Sequence, residues 1–180
     1  DGHHPIIFMQ CGPVRYLVGA KSQAEKRSFS HMVIHRFTRL RLPDANGIQD
    51  MYAGMIENQN RNELLVSDTL KLVQEGRTPI LLTERKEHAV LLASHLSAQA
   101  KHVFLLIGSD KQKDKREKLT ALQNVPDDED VVVVATGKYI GEGFDAPRLG
   151  TLLLAMPISW KGTLAQYAGR LHRNYEGKQE

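Results

Sequence analysis

The chain has 180 residues, 41% of them hydrophobic and 25% charged, which is ordinary for a globular protein and supplies apolar material for one sizeable core. The 24 Lys and Arg against 21 Asp and Glu leave a formal charge of +3, which permits a nucleic-acid partner without announcing one. The single cysteine, Cys11, excludes an internal disulfide framework and a cysteine-rich metal site. No apolar run approaches the ~20 residues of a membrane span, so a soluble, cytoplasmic protein without a membrane partner is expected.

In chain order, the N-terminal stretch offers little regular pattern. His3-His4, His31 and His35 lack acidic or cysteine partners at ligand spacing, so they read as surface or core histidines and not as a metal site. Cys11, beside Gly12-Pro13, reads as a structural thiol in a turn. From Ser28 to Leu42 the pattern alternates loosely, with Val33, Phe37 and Leu40 among basic and polar residues, and an extended or edge-strand segment is expected. It ends at the turn cluster Pro43-Asp44-Ala45-Asn46-Gly47.

The C-terminal two thirds are more regular. Asn62 to Glu75 is predicted as a helix ended by Gly76. Four apolar runs follow: Thr78 to Thr83, Val103 to Ile107, Val131 to Ala135 and Thr151 to Met156. Each reads as a strand buried on both faces. Between the first two, Ala89, Leu92, Ala93 and Leu96 form an apolar stripe on a helix spanning Arg85 to Gln99. Lys111 to Gln123 is predicted helical, with Leu119 and Leu122 inward, and Asp127 to Asp130 is a solvated acidic loop. Strands separated by helices make the expected fold class one doubly wound, mainly parallel α/β unit. The expected division is an extended region over 1–60 and the α/β domain over 61–180.

In such sheets ligands bind beyond the carboxyl ends of the strands. The residues there are Thr83, Glu84 and Arg85, then Gly108 and Ser109, then Thr136, Gly137 and Lys138. Glycine and small hydroxyl residues let backbone amides approach phosphate oxygens, although each junction alone is most simply an ordinary turn. Further on, Arg170 and Arg173 share one helical face and suit phosphate charge. Gly169 sits in the same helical pattern, where it costs about 1 kcal/mol relative to alanine, and so suggests close approach by another group. Trp160 precedes this helix as a packing anchor or a base-stacking residue.

Gln166-x-x-Gly169-Arg170-x-x-Arg173 resembles motif VI of superfamily-two (DEAD/DEAH-type) helicases, and Thr136 through Pro147 resembles motif V. Thr83-Glu84-Arg85 is similar to motif IV, and Gly108 with Lys115-Arg116-Glu117 to the segment after the next strand. The resemblance covers roughly Arg61 to Arg173 and is to the second, C-terminal RecA-like lobe. It implies that Arg170 and Arg173 reach an interlobe ATP, with Arg173 as arginine finger. It also implies that Gly143, Asp145, Gln166 and Gly169 belong to the ATP site, and that Thr83, Arg85, Gly108, Thr136, Gly137 and Lys138 line a nucleic-acid groove. The motif V segment is one residue longer than the DEAD-box pattern between Thr136 and Asp145, which leaves Gly141 and Glu142 without an assigned role.

The sequence has no GxxxxGK[ST] phosphate loop and no DExx box, the elements that hold ATP and Mg2+ in such motors. The implied partners are therefore DNA or RNA and an N-terminal RecA-like lobe, with ATP and Mg2+ held mainly by that lobe and no hydrolysis by this chain alone. The alternatives are a non-enzymatic nucleic-acid or protein binding module, or a motor subunit of a restriction system. A dinucleotide enzyme is weak because no GxGxxG follows a strand.

Overall fold

The structure is a computed structural model that describes residues 8–10, 12, 32–42, 46–140, 146–158, 167 and 169, with the side chains of Lys138 and Ile140 outside that set. Two compact units divide the chain: Asp1–Val33 with Gln179–Glu180, and Ile34–Lys178. In the first, residues 8–10 are helical, and the Gly12 N–H donates to the Phe8 carbonyl at 2.9 Å with Gly12 at φ +77°.

The second unit carries the sheet. Its elements are α1 (Ile48–Glu57), α2 (Gln59–Gln74), β1 (Pro79–Thr83), α3 (Lys86–Ser97), β2 (His102–Leu106), α4 (Gln112–Gln123), β3 (Val131–Thr136), α5 (Gly137–Ile140) and β4 (Thr151–Leu154). The strand order is β2-β3-β1-β4, and all three pairings are parallel. β1 and β3 are buried along their whole length, so their sequences are runs of apolar residues with no polar alternation.

Successive side chains point to opposite faces, and two cores result. Ile80, Leu82, Val131, Val133 and Ala135 pack with Leu122 of α4, Tyr139 of α5 and Tyr167 on one face. Leu81, Val132 and Val134 pack with Val66 and Val73 of α2 and Ala89, Leu92 and Leu96 of α3 on the other. The connection from β1 through α3 to β2 runs across the sheet one way, and that from β3 through α5 to β4 runs back. Right-handed crossovers therefore put α3 and α5 on opposite faces. The carboxyl ends of the adjacent strands β1 and β3 thus lead to different faces, which opens a crevice between them.

The helices and strands predicted between residues 62 and 156 are present with ends shifted by up to three residues. Gly76 closes α2 as expected: its φ of +74° suits glycine. Its N–H donates to the Val73 carbonyl at 2.9 Å, and the Arg77 N–H to the Leu72 carbonyl at 3.0 Å, a left-handed cap that satisfies two terminal carbonyls. Upstream, residues 34–42 form no helix or strand and pair with no strand of the sheet, whose edges are β2 and β4. The edge-strand alternative does not hold for these residues, and residues 28–31 of the expected segment lie outside the described residues. α1 was not expected. It contributes no buried residue, although Ile48, Met51, Tyr52, Met55 and Ile56 recur at helical spacing and carried a signal the reading of the sequence passed over.

Candidate functional site at the carboxyl edge of the sheet

The ends of β1 and β3 stand side by side, with Thr83 in register with Thr136. Each threonine is buried, and each hydroxyl is used. The Gly108 N–H, beyond β2, donates to Thr136 Oγ1 at 2.9 Å. The turns after β2 and β3 are therefore tied by one bond between two of the residues expected to line the groove.

Thr83 belongs to a longer chain of bonds. Asn62 Nδ2 donates to the Ile56 carbonyl at 2.7 Å, so Asn62 Oδ1 is left to accept, and it faces His88 Nε2 at 3.0 Å. That fixes the His88 proton on Nε2 and leaves Nδ1 to accept from the Thr83 hydroxyl at 3.0 Å. Thr83 Oγ1 in turn lies 3.4 Å from the Arg85 N–H, which donates to it. Every polar atom has one assignment, consistent with a neutral imidazole. Burial, and then the charge of Arg61, push the His88 pKa down to about 4.

Arg85 leaves this turn towards α1. Its guanidinium stands 4.7 Å from the centre of the Tyr52 ring, and it donates to Gln49 Oε1. Stacking on an aromatic face holds a guanidinium planar while leaving its charge unneutralised.

Gly137 follows β3 directly and is pressed by two side chains. A Cβ there would fall 2.7 Å from Glu84 Oε1 and closer still to Tyr167 Oη. A larger residue there would have to push both of these side-chain tips aside. Burial, with the Glu84 carboxylate as the second cause, raises the Tyr167 pKa. Across the same face, Tyr139 Oη donates to the Lys115 carbonyl at 3.1 Å, and Lys115 Nζ lies 5.4 Å from the Tyr139 ring centre. Burial and the Asp110 charge push Tyr139 up to about 12. The Lys118 ammonium donates to Asp110 Oδ2 at 2.6 Å and to the Leu105 carbonyl at 2.8 Å, anchoring α4 to the end of β2.

Of the expected site residues, Thr83, Arg85, Gly108, Thr136 and Gly137 gather at this edge. The Lys138 backbone is in α5. Gly169 is exposed, and a Cβ there would meet nothing within 4 Å, so packing among the described residues does not require that glycine. Gly143, Asp145, Gln166, Arg170 and Arg173 lie outside the described residues, as do Gly141, Glu142 and Trp160. Sequence reasoning missed His88, Arg61 and Tyr167. His88 had a signal, since it stands four residues before Leu92 on the stripe that Leu96 continues.

The class defined by this fold is the RecA-like α/β unit, a parallel four-stranded sheet between helices. The chain is similar in fold to T4 UvsW, with a TM-score of 0.59 and 14% identity, over 76% of this chain and 26% of that one. It is also similar to the C-terminal part of the Fun30 ATPase domain, with a TM-score of 0.57 and 15% identity, over 70% of this chain and 40% of that one. It thus spans about a quarter and two fifths of these two structures. No protein-family model and no curated protein sequence matches it. Among the described residues no helix is long and apolar enough to cross a membrane, and no group of His, Cys, Asp and Glu could hold a metal ion.

Proposed function

We propose that the chain is the second lobe of an ATP-dependent nucleic-acid helicase or translocase, working in the cytoplasm on DNA or RNA. The observation that carries this reading is the meeting of three distant segments at one sheet edge. Thr83 to Arg85, Gly108, and Thr136 with Gly137 stand together there, with Tyr167 closing over Gly137. These segments resemble motifs IV, V and VI, in the order a second lobe requires. The fold shared with part of the Fun30 ATPase domain supports the same reading.

In this proposal residues 1–60 are an interlobe region and 61–180 the lobe. ATP and Mg2+ would be held mainly by a first lobe, and ATP hydrolysis would supply the free energy for lobe opening. This chain's share of that site would be Gly143, Asp145, Gln166, Gly169, Arg170 and Arg173. The open space over Gly169 fits an outside group approaching there, and guanidiniums at i and i+3 suit phosphate oxygens. Arg173 would be the arginine finger, with Arg170 beside it. Thr83, Arg85, Gly108, Thr136, Gly137 and Lys138 would line the groove for a phosphate backbone. There the Gly108 to Thr136 bond makes two turns move as one, and His88 sets the Thr83 hydroxyl. Lobe closure would then be felt directly by the groove.

The test is a two-lobed protein in which this chain follows a lobe bearing a phosphate loop. Its ATPase should be stimulated by single-stranded nucleic acid, and the stimulation should weaken steeply with salt. ATP turnover that nucleic acid leaves unchanged would overturn the reading.

A further inference from the structure

A second concave feature is bounded by the segment 34–42 and the first turns of α2. The segment 34–42 lies against α2 and α1 and is held at two points. Arg36 Nε and Nη2 donate to the two Asp68 carboxylate oxygens at 2.6 and 2.9 Å, and Leu42 packs on Gly54 of α1. Between these anchors is a cavity of about 340 Å³ lined by Phe37, Thr38, Arg39, Leu40, Asn58, Asn60, Arg61 and Leu64. That volume falls at the lower end of the ~300–1,000 Å³ typical of small-molecule sites.

Its lining is unusual in charge. Arg61 is half-buried, yet it is held only by carbonyls. Nη1 donates to Met55 at 3.4 Å, and Nη2 donates to Ala155. Among the described residues neither Arg61 nor Arg39 has a carboxylate partner, whereas the neighbouring Arg36 has one. Carbonyls satisfy the N–H groups of a guanidinium without cancelling its charge. Burial lowers the Arg61 pKa, as expected for a cation without a counter-charge. The cavity therefore combines two uncompensated cations with amide and hydroxyl hydrogen-bonding groups. It also has a phenyl ring, Phe37, that is 94% exposed. The bare face of such a ring is free to stack on another flat ring.

We propose that this cavity binds a nucleoside phosphate, with the base on Phe37 and the phosphate on Arg39 and Arg61. The phosphate accounts for the two cations, the base for the bare ring, and the base edge for Asn58, Asn60 and Thr38. The ligand is a free nucleotide or one unit of a single strand, which share this chemistry. None of the residues proposed above for ATP or for the groove lines it, although Arg61 also acts on His88 at the sheet edge, so Phe37 and Arg39 are the positions that test this site apart from them.

The test titrates the whole chain with AMP by calorimetry and with fluorescein-labelled oligo-dT by anisotropy. Phe37→Ala and Arg39→Glu alter exposed side chains, so the fold should be kept, and circular dichroism verifies that. The unaltered chain should bind at least one probe, and each variant should weaken that binding roughly tenfold. Binding of AMP with displacement of the oligonucleotide identifies a free nucleotide, and binding of the oligonucleotide alone identifies a strand; either outcome supports the site. No binding of either probe, or variants that bind as the unaltered chain does, overturns it. In the second case oligonucleotide binding itself persists, and the motor reading is untouched.

Discussion

Acid should loosen this fold through one buried ring. The His88 imidazole is fully buried and neutral, and its pKa is about 4 against an ordinary 6.5. Above pH 6.5 the ring is neutral in both the folded and unfolded chains, and it contributes no pH dependence. Below 6.5 the unfolded chain takes up a proton that the folded chain refuses, so stability falls until the folded ring protonates near pH 4. The gap of about 2.5 pH units, at ~1.36 kcal/mol each, is about 3 kcal/mol. That is a large share of the ~5–15 kcal/mol of a typical domain. Urea unfolding followed by far-ultraviolet circular dichroism across this range measures the loss. His88→Gln provides the control. It should start less stable at neutral pH, because Asn62 Oδ1 and Thr83 Oγ1 lose a matched partner. It should then lose about 3 kcal/mol less on acidification, since carboxylate titrations are common to both proteins. Parallel stability curves for the two proteins would refute the protonation assignment and with it the neutral Asn62–His88–Thr83 chain.

Other perturbations probe the same edge. Gly137→Ala should cost about 1–3 kcal/mol by overpacking against Glu84 and Tyr167; thermal melts check this, and Tyr167→Phe in the same chain should recover part of the loss. Thr136→Val strands the Gly108 N–H and should cost about 1–3 kcal/mol, read as faster amide exchange at Gly108. Arg148 donates to the Val125, Pro126 and Glu129 carbonyls at 3.0, 3.4 and 3.2 Å. Arg148→Ala should therefore speed exchange in the acidic loop while leaving the β1–β3 crevice unchanged.

The sheet was legible because its strands are buried on both faces. A run such as Val131 to Val134 carries its assignment in composition alone, and Gly76 marks the end of α2 by its backbone conformation. The strand-end residues were legible too, since a parallel sheet places Thr83 beside Thr136 whatever the side chains do. What escaped depends on contacts between distant segments. The His88 ring matters only because Asn62 and Thr83 reach it from two other elements. Arg85 was expected to face the groove, and its stacking on Tyr52 depends on α1, a neighbour distant in sequence whose apolar stripe stays unburied. Strand order likewise does not follow from periodicity, because β1 lies between β3 and β4 although β2 follows it in sequence.

In the proposed motor this chain completes an ATP site that another lobe holds. Arg173→Ala in the two-lobed protein, assayed for nucleic-acid-stimulated ATP turnover and separately for nucleotide binding, tests it most directly. Loss of turnover by about 10³-fold or more, with nucleotide still bound, is the predicted result. Turnover equal to that of the unaltered protein would contradict it.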